Sequence, residues 1–283
     1  MKGLVPHTLN INGRLLTLSE PQVMGILNVT PDSFYAASRQ QGERAIAQRI
    51  EQICTEGGTM IDVGAYSSRP GADEVPVEEE MERLRSGLAI VRRLCPDAVV
   101  SVDTFRADVA RMCVEEYGVG IVNDISGGTM DSRMFETVAS LGVPYILMHM
   151  QGTPQTMQLM PSYDDLMQNI LCYFAERIQH LQALGVKDII LDPGFGFGKT
   201  LAHNYELMNH LEEFNRMELP LLVGVSRKSM IYKLLDVTPD EALNGTTALH
   251  VIALLKGAHI LRVHDVRACV EAVRIVREML AQP

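Results

Sequence analysis

Residues 99–124 have the sequence VVSVDTFRADVARMCVEEYGVGIVND, in which two short apolar runs flank a helical pattern. Between the runs, Val109, Met112 and Cys113 stand at the i, i+3 and i+4 positions of one helix face, and Gly118 marks the helix end. The runs themselves are rich in β-branched residues, as in strands that are buried on both faces. The stretch therefore predicts a strand, a helix and a second strand parallel to the first.

Apolar runs of the same kind recur along the chain, and most of them end in a polar residue or a glycine. Helical patterns separate them, among them Glu78–Leu94, Tyr163–Leu184 and Val266–Leu280. The mean spacing is about 34 residues, close to the length of one βαβ unit. The eight predicted strands are Val23–Leu27, Met60–Ile61, Val99–Val102, Gly120–Val122, Tyr145–Met148, Ile189–Leu191, Leu221–Val225 and Ile260–Val263.

Eight evenly spaced units favour a closed barrel over an open sheet. An open doubly wound sheet has the same local pattern, but it commonly has a glycine fingerprint after its first strand, and none is found here. The predicted fold class is therefore α/β, a (β/α)8 TIM barrel, with one domain over residues 1–283. Within residues 1–20, Asn12-Gly13 between alternating residues predicts a β-hairpin that covers the bottom of the barrel.

The composition is that of a folded protein and argues against several classes of partner. Hydrophobic residues make up 47% of the chain, and the formal net charge of −10 does not suit a surface for nucleic acid or for an anionic membrane. The 5 cysteines are scattered, which is typical of free thiols in a reducing compartment, and we expect them in the core. The N-terminus lacks the apolar block of a signal peptide, so we expect a cytoplasmic protein.

Polar residues follow the predicted strands, at the end of a barrel where catalytic groups collect. A polar residue in such a place is usually a helix cap or a turn former, and we interpret Asp62 in this way. The remaining polar residues stand at so many strand ends that capping and turn formation alone do not explain them. The residues predicted to line this rim are Asn28, Asp62, Asp103, Asn123, Asp192, Lys228, Arg262 and His264.

Three of these residues suggest a flat ligand. Asp103, Asn123 and Asp192 suit a planar heterocycle with a guanidine-like edge, because a carboxylate accepts two parallel N–H bonds in one plane. Lys228 either offsets their charge or donates to a ring carbonyl. The glycine-rich segment Asp192–Gly198 lacks the lysine and hydroxyl spacing of a phosphate-binding loop, so we expect it to bring its backbone and Phe197 close to the ligand.

Basic residues suggest a second, anionic group on the ligand. Arg262 and His264 are predicted at another part of the rim, where they would bind phosphate. Ser226–Ser229 leaves the seventh strand and opens a helical segment, so its free N–H groups would form an anion site. The long segments Asn28–Phe34 and Gly64–Val77 contain Pro and Ser, the second also Gly, and are candidates for lids over this mouth.

An ordered set of segments resembles the dihydropteroate synthases from the first strand to the eighth. The segments are Gly25–Phe34 (GILNVTPDSF), Ser68–Gly71 (SRPG), Ser101–Thr104 (SVDT), Asn123–Gly128 (NDISGG), Met148–Gly152 (MHMQG), Asp192–Phe197 (DPGFGF), Ser226–Ser229 (SRKS) and Arg262–Val266 (RVHDV). The resemblance implies a (β/α)8 barrel that joins p-aminobenzoate to 6-hydroxymethyl-7,8-dihydropterin pyrophosphate in folate synthesis. It also implies a homodimer formed through barrel helices and a target of sulfonamides.

The resemblance further implies a role for each residue of the site. The residues that would hold the pterin are Asp103, Asn123, Asp192 and Lys228, in a slot shaped by Met148, Phe197 and Gly224. The pyrophosphate would be bound by Asn28, which would also carry Mg²⁺, and by Arg262 and His264. The p-aminobenzoate site would consist of Phe34, Ser68, Arg69, Pro70 and Ser226. The catalytic set would be Lys228, Asp103, Arg262, His264 and Asp32. The implied chemistry is dissociative, because pyrophosphate leaves first and the arylamine then captures a pterin cation.

Two segments depart from the family's usual pattern. Tyr35–Arg39 stands where a serine, aspartate and glycine-rich turn is usual, and Gly64–Ser68 replaces a stretch that usually contains Glu and Thr.

Two alternatives remain open from the sequence. A pterin-binding methyltransferase barrel would explain the carboxylates but gives no role to Ser226–Ser229 together with Arg262 and His264. The second alternative is a non-catalytic pterin-binding paralogue whose altered loops no longer close.

Overall fold

An antiparallel hairpin precedes the barrel in the computed structural model, which describes residues 4–29, 39–66, 75–157 and 161–282. Its strands are β1 (His7–Ile11) and β2 (Arg14–Leu18). At its turn, Asn12 and Gly13 have φ values of 51° and 80°, as in a type I′ turn, whose twist matches that of the two strands. The hairpin that the Asn12-Gly13 pair predicts is therefore present.

Eight parallel strands of the described chain form a single sheet in the order β8-β7-β6-β5-β4-β3-β10-β9. A parallel backbone bridge between Leu191 and Leu221 joins the two ends of this order, so the sheet closes on itself. The prediction of a (β/α)8 barrel is confirmed. The strands are β3 (Gln22–Asn28), β4 (Met60–Gly64), β5 (Val99–Asp103), β6 (Ile121–Asp124), β7 (Tyr145–Met148), β8 (Ile189–Asp192), β9 (Leu222–Val223) and β10 (Ile260–Val263).

A helix follows each strand, and an additional short helix lies between β9 and its barrel helix. The predicted helices agree with the observed ones to within about three residues at each end. The helices are α1 (Arg39–Thr55), α2 (Val77–Leu94), α3 (Ala107–Tyr117), α4 (Met134–Leu141), α5 (Leu166–Ala183), α6 (Leu201–Asn209), α7 (Ser229–Leu235), α8 (Leu243–Leu255) and α9 (Val266–Ala281). Short 3-10 segments cover Leu211–Met217 and Pro239–Glu241.

The seventh barrel strand is shorter than predicted. β9 covers Leu222–Val223, whereas the apolar run predicts Leu221–Val225. The chain turns at its end, since the Lys228 N–H donates to the Val225 carbonyl (3.1 Å). Gly224 and Val225 therefore belong to the approach to this turn.

The floor of the barrel is an apolar layer. Three hairpin side chains, Leu9, Ile11 and Leu18, pack against inward-pointing residues near the start of the barrel strands. Those residues are Met24, Met60, Ile121, Ile146, Ile190, Leu222 and Ile260. The hairpin therefore lies across the N-terminal end of the barrel, and the opposite end is left for the site.

The cysteines do not all lie in the core, contrary to expectation. Cys113 and Cys269 are buried, but Cys54 and Cys172 are exposed and Cys95 is half-buried. The exposed thiols belong to α1 and α5, whose outer faces tolerate a small side chain of either polarity. Among the described helices, none has the length and apolar character needed to cross a membrane.

Candidate active site

The polar site is the layer directly above the apolar floor. Side chains two residues apart along a strand point to the same face of the sheet. Residues two positions beyond floor residues Met60, Ile121, Ile190 and Ile260 therefore also point into the barrel. Those residues are Asp62, Asn123, Asp192 and Arg262.

Asp62 is not the turn former that we expected. It lies in the middle of β4, is completely buried, and accepts hydrogen bonds at Oδ2 from Arg262 Nε (2.6 Å) and Asn123 Nδ2 (3.1 Å). A buried carboxylate is tolerated inside a strand when a cation pairs with it. Its other oxygen, Oδ1, has no hydrogen-bond partner among the described residues, although it is buried.

Arg262 lies among the carboxylates and not at a separate part of the rim. Its Nε pairs with Asp62, and its Nη2 donates to Asp103 Oδ2 (2.7 Å). Burial alone would lower the pKa of Arg262, but Asp62 and Asp103 raise it above the ordinary value, so the guanidinium stays charged. The prediction that the phosphate-binding Arg262 lies apart from the carboxylates that bind the heterocycle is therefore wrong.

Asp103 ends β5, and Gly64 of the neighbouring strand lies beside it. A Cβ added at Gly64 would come within 3.4 Å of the Asp103 Cβ, so the glycine leaves room for this carboxylate. Burial raises the pKa of Asp103 to about 7, against the opposing charge of Arg262. Asn123 is its partner in the strand register on the other side.

Asp192 ends β8 and is 6% exposed. Its Oδ1 accepts a hydrogen bond from the Gly194 N–H (2.8 Å), which fixes the carboxylate at the start of the glycine-rich turn. Burial raises its pKa above the ordinary value, and the charge of Lys228 opposes this rise most strongly. The site thus presents a second carboxylate beside a cation.

Lys228 bridges the strand ends of β8 and β9. Its Nζ donates to the Phe195 carbonyl (2.5 Å) and lies 4.7 Å from the centroid of the Phe197 ring, a cation–π contact. Burial lowers its pKa to about 8, although Asp192 favours the charged form. A Cβ added at Gly224 would lie 3.9 Å from Lys228 Nζ and from Arg262 Cβ. The glycine therefore leaves space between these two cationic side chains.

A strained turn holds Ser226 and Lys228 in place. Arg227, between them, has a φ of 53°, a left-handed conformation that is unfavourable for a residue with a side chain. Its guanidinium forms a bidentate pair with Asp265, with Nε–Oδ2 and Nη2–Oδ1 distances of 2.8 and 2.9 Å. Ser226 Oγ in turn accepts a hydrogen bond from the His264 N–H (3.2 Å). These contacts connect the ends of β9 and β10.

The remaining predicted residues lie around this layer or outside the described residues. Met148 is buried in an apolar cluster beside the site, and the half-buried Phe197 packs on that cluster. Asn28 is exposed at the end of β3. Five predicted site residues lie outside the described residues, namely Asp32, Phe34, Ser68, Arg69 and Pro70.

Two buried charged residues, Asp62 and Lys199, are not identified as site residues from the sequence. Asp62 could have been found by counting in twos from Met60, because both point inward from β4. Lys199 directly follows the glycine-rich segment, yet its ammonium is buried beneath the turn and not exposed at the mouth. No spacing rule could have placed it there, since a lysine after such a segment ordinarily faces solvent.

Comparisons with known proteins identify the family of this chain. The family model described as "Pterin binding enzyme" matches residues 24–264. The dihydropteroate synthase of Escherichia coli K12 is 47% identical over 272 residues, which are 95% of each chain. This chain belongs to the dihydropteroate synthase family. A further member, the dihydropteroate synthase of Haemophilus influenzae, is 41% identical over 93% of this chain and 96% of its own.

Solved structures of family members share the whole fold. The Yersinia pestis dihydropteroate synthase, solved as a sulfonamide drug complex, has a TM-score of 0.86 and 44% identity over 98% of this chain and 100% of its own. The Xanthomonas albilineans dihydropteroate synthase, solved with 4-aminobenzoic acid, has a TM-score of 0.88 and 38% identity over 99% of this chain and 100% of its own. The family's barrel is therefore retained from end to end.

Proposed function

We propose that this chain is a dihydropteroate synthase, which condenses 6-hydroxymethyl-7,8-dihydropterin pyrophosphate with p-aminobenzoate to give dihydropteroate and pyrophosphate. One observation carries the proposal: carboxylates, an amide and cations converge on the inner face of a barrel that matches enzymes of this name over nearly its full length. A catalytic pterin site needs both kinds of group, because one holds the heterocycle and the other opposes charge on the leaving group.

The pterin would lie against the ends of β6–β9. Asp192 would accept N–H bonds from the guanidine-like edge of the ring, and Asn123 can both donate and accept beside it. Lys228 would exchange its bond to a backbone carbonyl for one to the ring carbonyl. The apolar side chains of Met148 and Phe197 offer contact surfaces for the ring faces. The carboxylates would also tolerate positive charge that develops on the pterin as pyrophosphate leaves.

The pyrophosphate would be held by Arg262 and His264. Arg262 shares its guanidinium between Asp62 and Asp103, and phosphate oxygens would compete with Asp103 for Nη2. Asp103 would then be available to the pterin while Asp62 keeps Arg262 in place. In this arrangement the guanidinium opposes the negative charge that builds up on the departing group.

We further propose that Mg²⁺ accompanies the pyrophosphate at Asn28. Mg²⁺ prefers oxygen ligands and usually combines a few protein oxygens with substrate phosphates and waters, so the exposed amide oxygen at the end of β3 fits this chemistry. When bound, the ion would supply positive charge to the phosphates. Asn28 would hold it, and Arg262 and His264 would orient the phosphate oxygens. Among the described residues, no group of three or more His, Cys, Asp or Glu side chains could hold a metal by itself.

The p-aminobenzoate site is proposed to form from Ser226 together with Phe34, Ser68, Arg69 and Pro70. Ser226 is 7% exposed and fixed at the end of β9, whereas the other four belong to the long sequence segments that come after β3 and β4. We therefore propose that the site is completed only after pyrophosphate and Mg²⁺ are bound. Sulfonamides, as analogues of p-aminobenzoate, would occupy the same place.

Binding of p-aminobenzoate is expected to follow the pterin. If closure requires the first substrate, the apparent affinity of the free protein for the arylamine is reduced by its small closed fraction. Calorimetry should detect no binding to the free protein and clear binding once a pterin, pyrophosphate and Mg²⁺ are present. Arg69→Ala should remove much of this difference, while Arg267→Ala, on α9, serves as the control. Tight binding of p-aminobenzoate to the free protein would mean that the site is preorganised.

The proposed activity can be distinguished from the two alternatives in one experiment. Purified protein is incubated with the pterin pyrophosphate, p-aminobenzoate and Mg²⁺, and the product mass is measured. Parallel samples contain methyltetrahydrofolate and a thiol acceptor. We expect dihydropteroate in the first mixture and no methyl transfer in the second. Methyl transfer would favour the methyltransferase, and pterin binding without either product would favour the paralogue.

We also propose that the protein is a cytoplasmic homodimer. Helix α8 packs against α7 and against α9, and α7 and α9 carry exposed apolar side chains, among them Leu234 (55% exposed), Ile275 (67%) and Met279 (47%). Ile275 and Met279 are one helical turn apart and so share a face. Exposed apolar side chains on one helix face are typical of an interface between copies, and two-fold dimers are the commonest such assembly.

The dimer can be tested with charges placed on this face. Ile275→Glu/Met279→Glu should convert a dimer into a monomer in sedimentation at micromolar protein, because two buried carboxylates per copy would oppose association. Leu15→Glu is the matched control, since Leu15 is 77% exposed on hairpin strand β2 and belongs to none of these three helices. A wild-type monomer, or a dimer that survives the double change, would contradict this interface.

A further inference from the structure

A buried lysine lies beneath the glycine-rich turn. Lys199 is 3% exposed, and its Nζ is 3.0 Å from each of three acceptors: the Gly194 carbonyl, the Phe197 carbonyl and His149 Nδ1. The His149 carbonyl is a fourth, more distant acceptor at 3.4 Å. An ammonium has three protons to donate, so this cage satisfies it without a carboxylate.

The lysine cage joins the ends of β7 and β8. The backbones of the two strand ends meet closely, because the His149 N–H donates to the Asp192 carbonyl (3.0 Å) and a Cβ at Gly194 would overlap the His149 carbonyl. A Cβ at Gly198 would similarly come within 2.7 Å of the Gln151 carbonyl. Backbone carbonyls converging in this way repel one another. The Lys199 ammonium sits between them and offsets that repulsion.

Two residues whose carbonyls accept from Lys199 also contact side chains that are proposed to bind the pterin. Gly194 accepts from Lys199 through its carbonyl and donates through its N–H to the Asp192 carboxylate. Phe197 accepts from Lys199 through its carbonyl, while its ring lies against the Lys228 ammonium. A shift of the turn would therefore move a carboxylate and a ring face at the same time.

The charged groups around the cage shift one another's pKa values. Burial raises the pKa of Asp192, and the cations that oppose the rise are Lys228, Arg262 and Lys199. Burial lowers the pKa of Lys199 to about 7, where Asp192 opposes and Lys228 adds to the decrease. Burial and the nearby cation Lys199 lower the pKa of His149 to about 2, so its ring stays neutral and can accept at Nδ1.

We propose that Lys199 is a positioning residue of the pterin site: its ammonium holds the turn at 192–198 against His149 and so presents the Asp192 carboxylate and the Phe197 ring to the pterin. This inference rests on the proposed function only in naming a pterin as the ligand. The turn has a second support, since the Gly196 N–H donates to Asn204 Oδ1 (2.7 Å), so the fold is expected to survive replacement of the lysine.

Two replacements separate the roles of charge and hydrogen bonding. Lys199→Met keeps the length of the side chain and removes every donor, whereas Lys199→Gln keeps two donors without the charge. Lys187→Met, at an exposed lysine near the opposite end of β8, is the control. The measurement is calorimetric affinity for 6-hydroxymethylpterin from pH 5.5 to 8.5, with thermal unfolding recorded for each variant.

Lys199→Met is expected to weaken pterin binding about tenfold to hundredfold, and Lys199→Gln less, because a charged hydrogen-bond donor is lost in one case and partly replaced in the other. The pH profile should also change. Loss of the Lys199 charge should raise the pKa of Asp192, so the carboxylate becomes protonated at a higher pH than in wild type. The pterin affinity of the variant should therefore fall at a higher pH than that of wild type. At saturating pterin pyrophosphate, the KM for p-aminobenzoate should stay within about threefold of wild type, since the Lys199 hydrogen bonds go to His149, Gly194 and Phe197 and to no residue proposed for that site.

Three results would overturn the inference. Both variants could bind pterin as wild type does at every pH, which would mean that the cage has no influence on the slot. Both could lose the same affinity with an unchanged pH profile and a lowered unfolding temperature, which is the pattern of a purely structural lysine. If Lys199→Met does not fold, Lys199→Gln alone decides, and an unchanged pH profile in that variant overturns the inference. Failure of wild-type protein to bind pterin would instead reject the proposed function.

Discussion

Replacing Asp192 by alanine is expected to weaken pterin binding by at least about a hundredfold. The carboxylate is 6% exposed and ends β8 inside the barrel, so its removal would leave the N–H donors of a bound ring without an acceptor. Each unpaired buried donor costs about 1–3 kcal/mol, and about 1.4 kcal/mol corresponds to tenfold in affinity. Calorimetry with 6-hydroxymethylpterin measures the change directly.

Two comparisons make the Asp192 result specific. Asp192→Asn keeps an acceptor for the Gly194 N–H and should retain more of the fold's local order, yet it should still lose most pterin affinity because its charge is gone. Asp188→Ala removes a carboxylate at the other end of the same strand, where Asp188 accepts from the Asn10 N–H (3.2 Å), and should leave pterin affinity unchanged. Binding by Asp192→Ala within about threefold of wild type would mean that Asp192 is structural and that the pocket lies elsewhere.

Replacing Arg262 by alanine should affect both stability and substrate binding. The sequence suggests a phosphate ligand alone, but the structure makes Arg262 the only described cation bonded to the buried Asp62. Removing one partner of a buried ion pair costs about 3–5 kcal/mol, so we expect a loss of this size in the free energy of unfolding. Affinity for the pterin pyrophosphate should fall further than affinity for the unphosphorylated pterin.

A double-mutant cycle separates the two effects of Arg262. Adding Asp62→Asn to Arg262→Ala removes the unpaired charge and should restore about 1–3 kcal/mol of the unfolding free energy, because the two residues are in contact. The phosphate-dependent part of the binding loss should remain. Arg85→Ala is the control, since its pair with Glu116 is exposed and is expected to contribute little. Additive effects on unfolding would show that the Asp62–Arg262 contact carries no energy.

The fold could be predicted from the sequence because its signals are local and repeated. Each barrel strand is a short apolar run that ends in a polar residue, and each helix has its own period and stop, as at Gly118. Gly118 adopts a φ of 62°, a conformation that glycine reaches at low cost. β9 was overpredicted because Val225 is apolar and β-branched, yet its carbonyl is used in the turn that presents Lys228.

The chemistry of the site could be predicted only in part, because the pairing of charges depends on distances that the sequence does not contain. The rim position of Asp192 follows from the end of β8, and the structure places it there. The partnership of Arg262 with Asp62 joins residues 200 positions apart and requires the closed barrel. Lys199 likewise becomes significant only when the ends of β7 and β8 meet.

The most direct test of the proposed activity is the release of pyrophosphate when the protein is mixed with 6-hydroxymethyl-7,8-dihydropterin pyrophosphate, p-aminobenzoate and Mg²⁺. Phosphate liberated by a coupled pyrophosphatase is followed over time, and dihydropteroate is measured in the same samples. We expect one pyrophosphate for each dihydropteroate, with both nearly absent in the Asp192→Ala variant. Folded wild-type protein that binds the pterin but yields neither pyrophosphate nor dihydropteroate would contradict it.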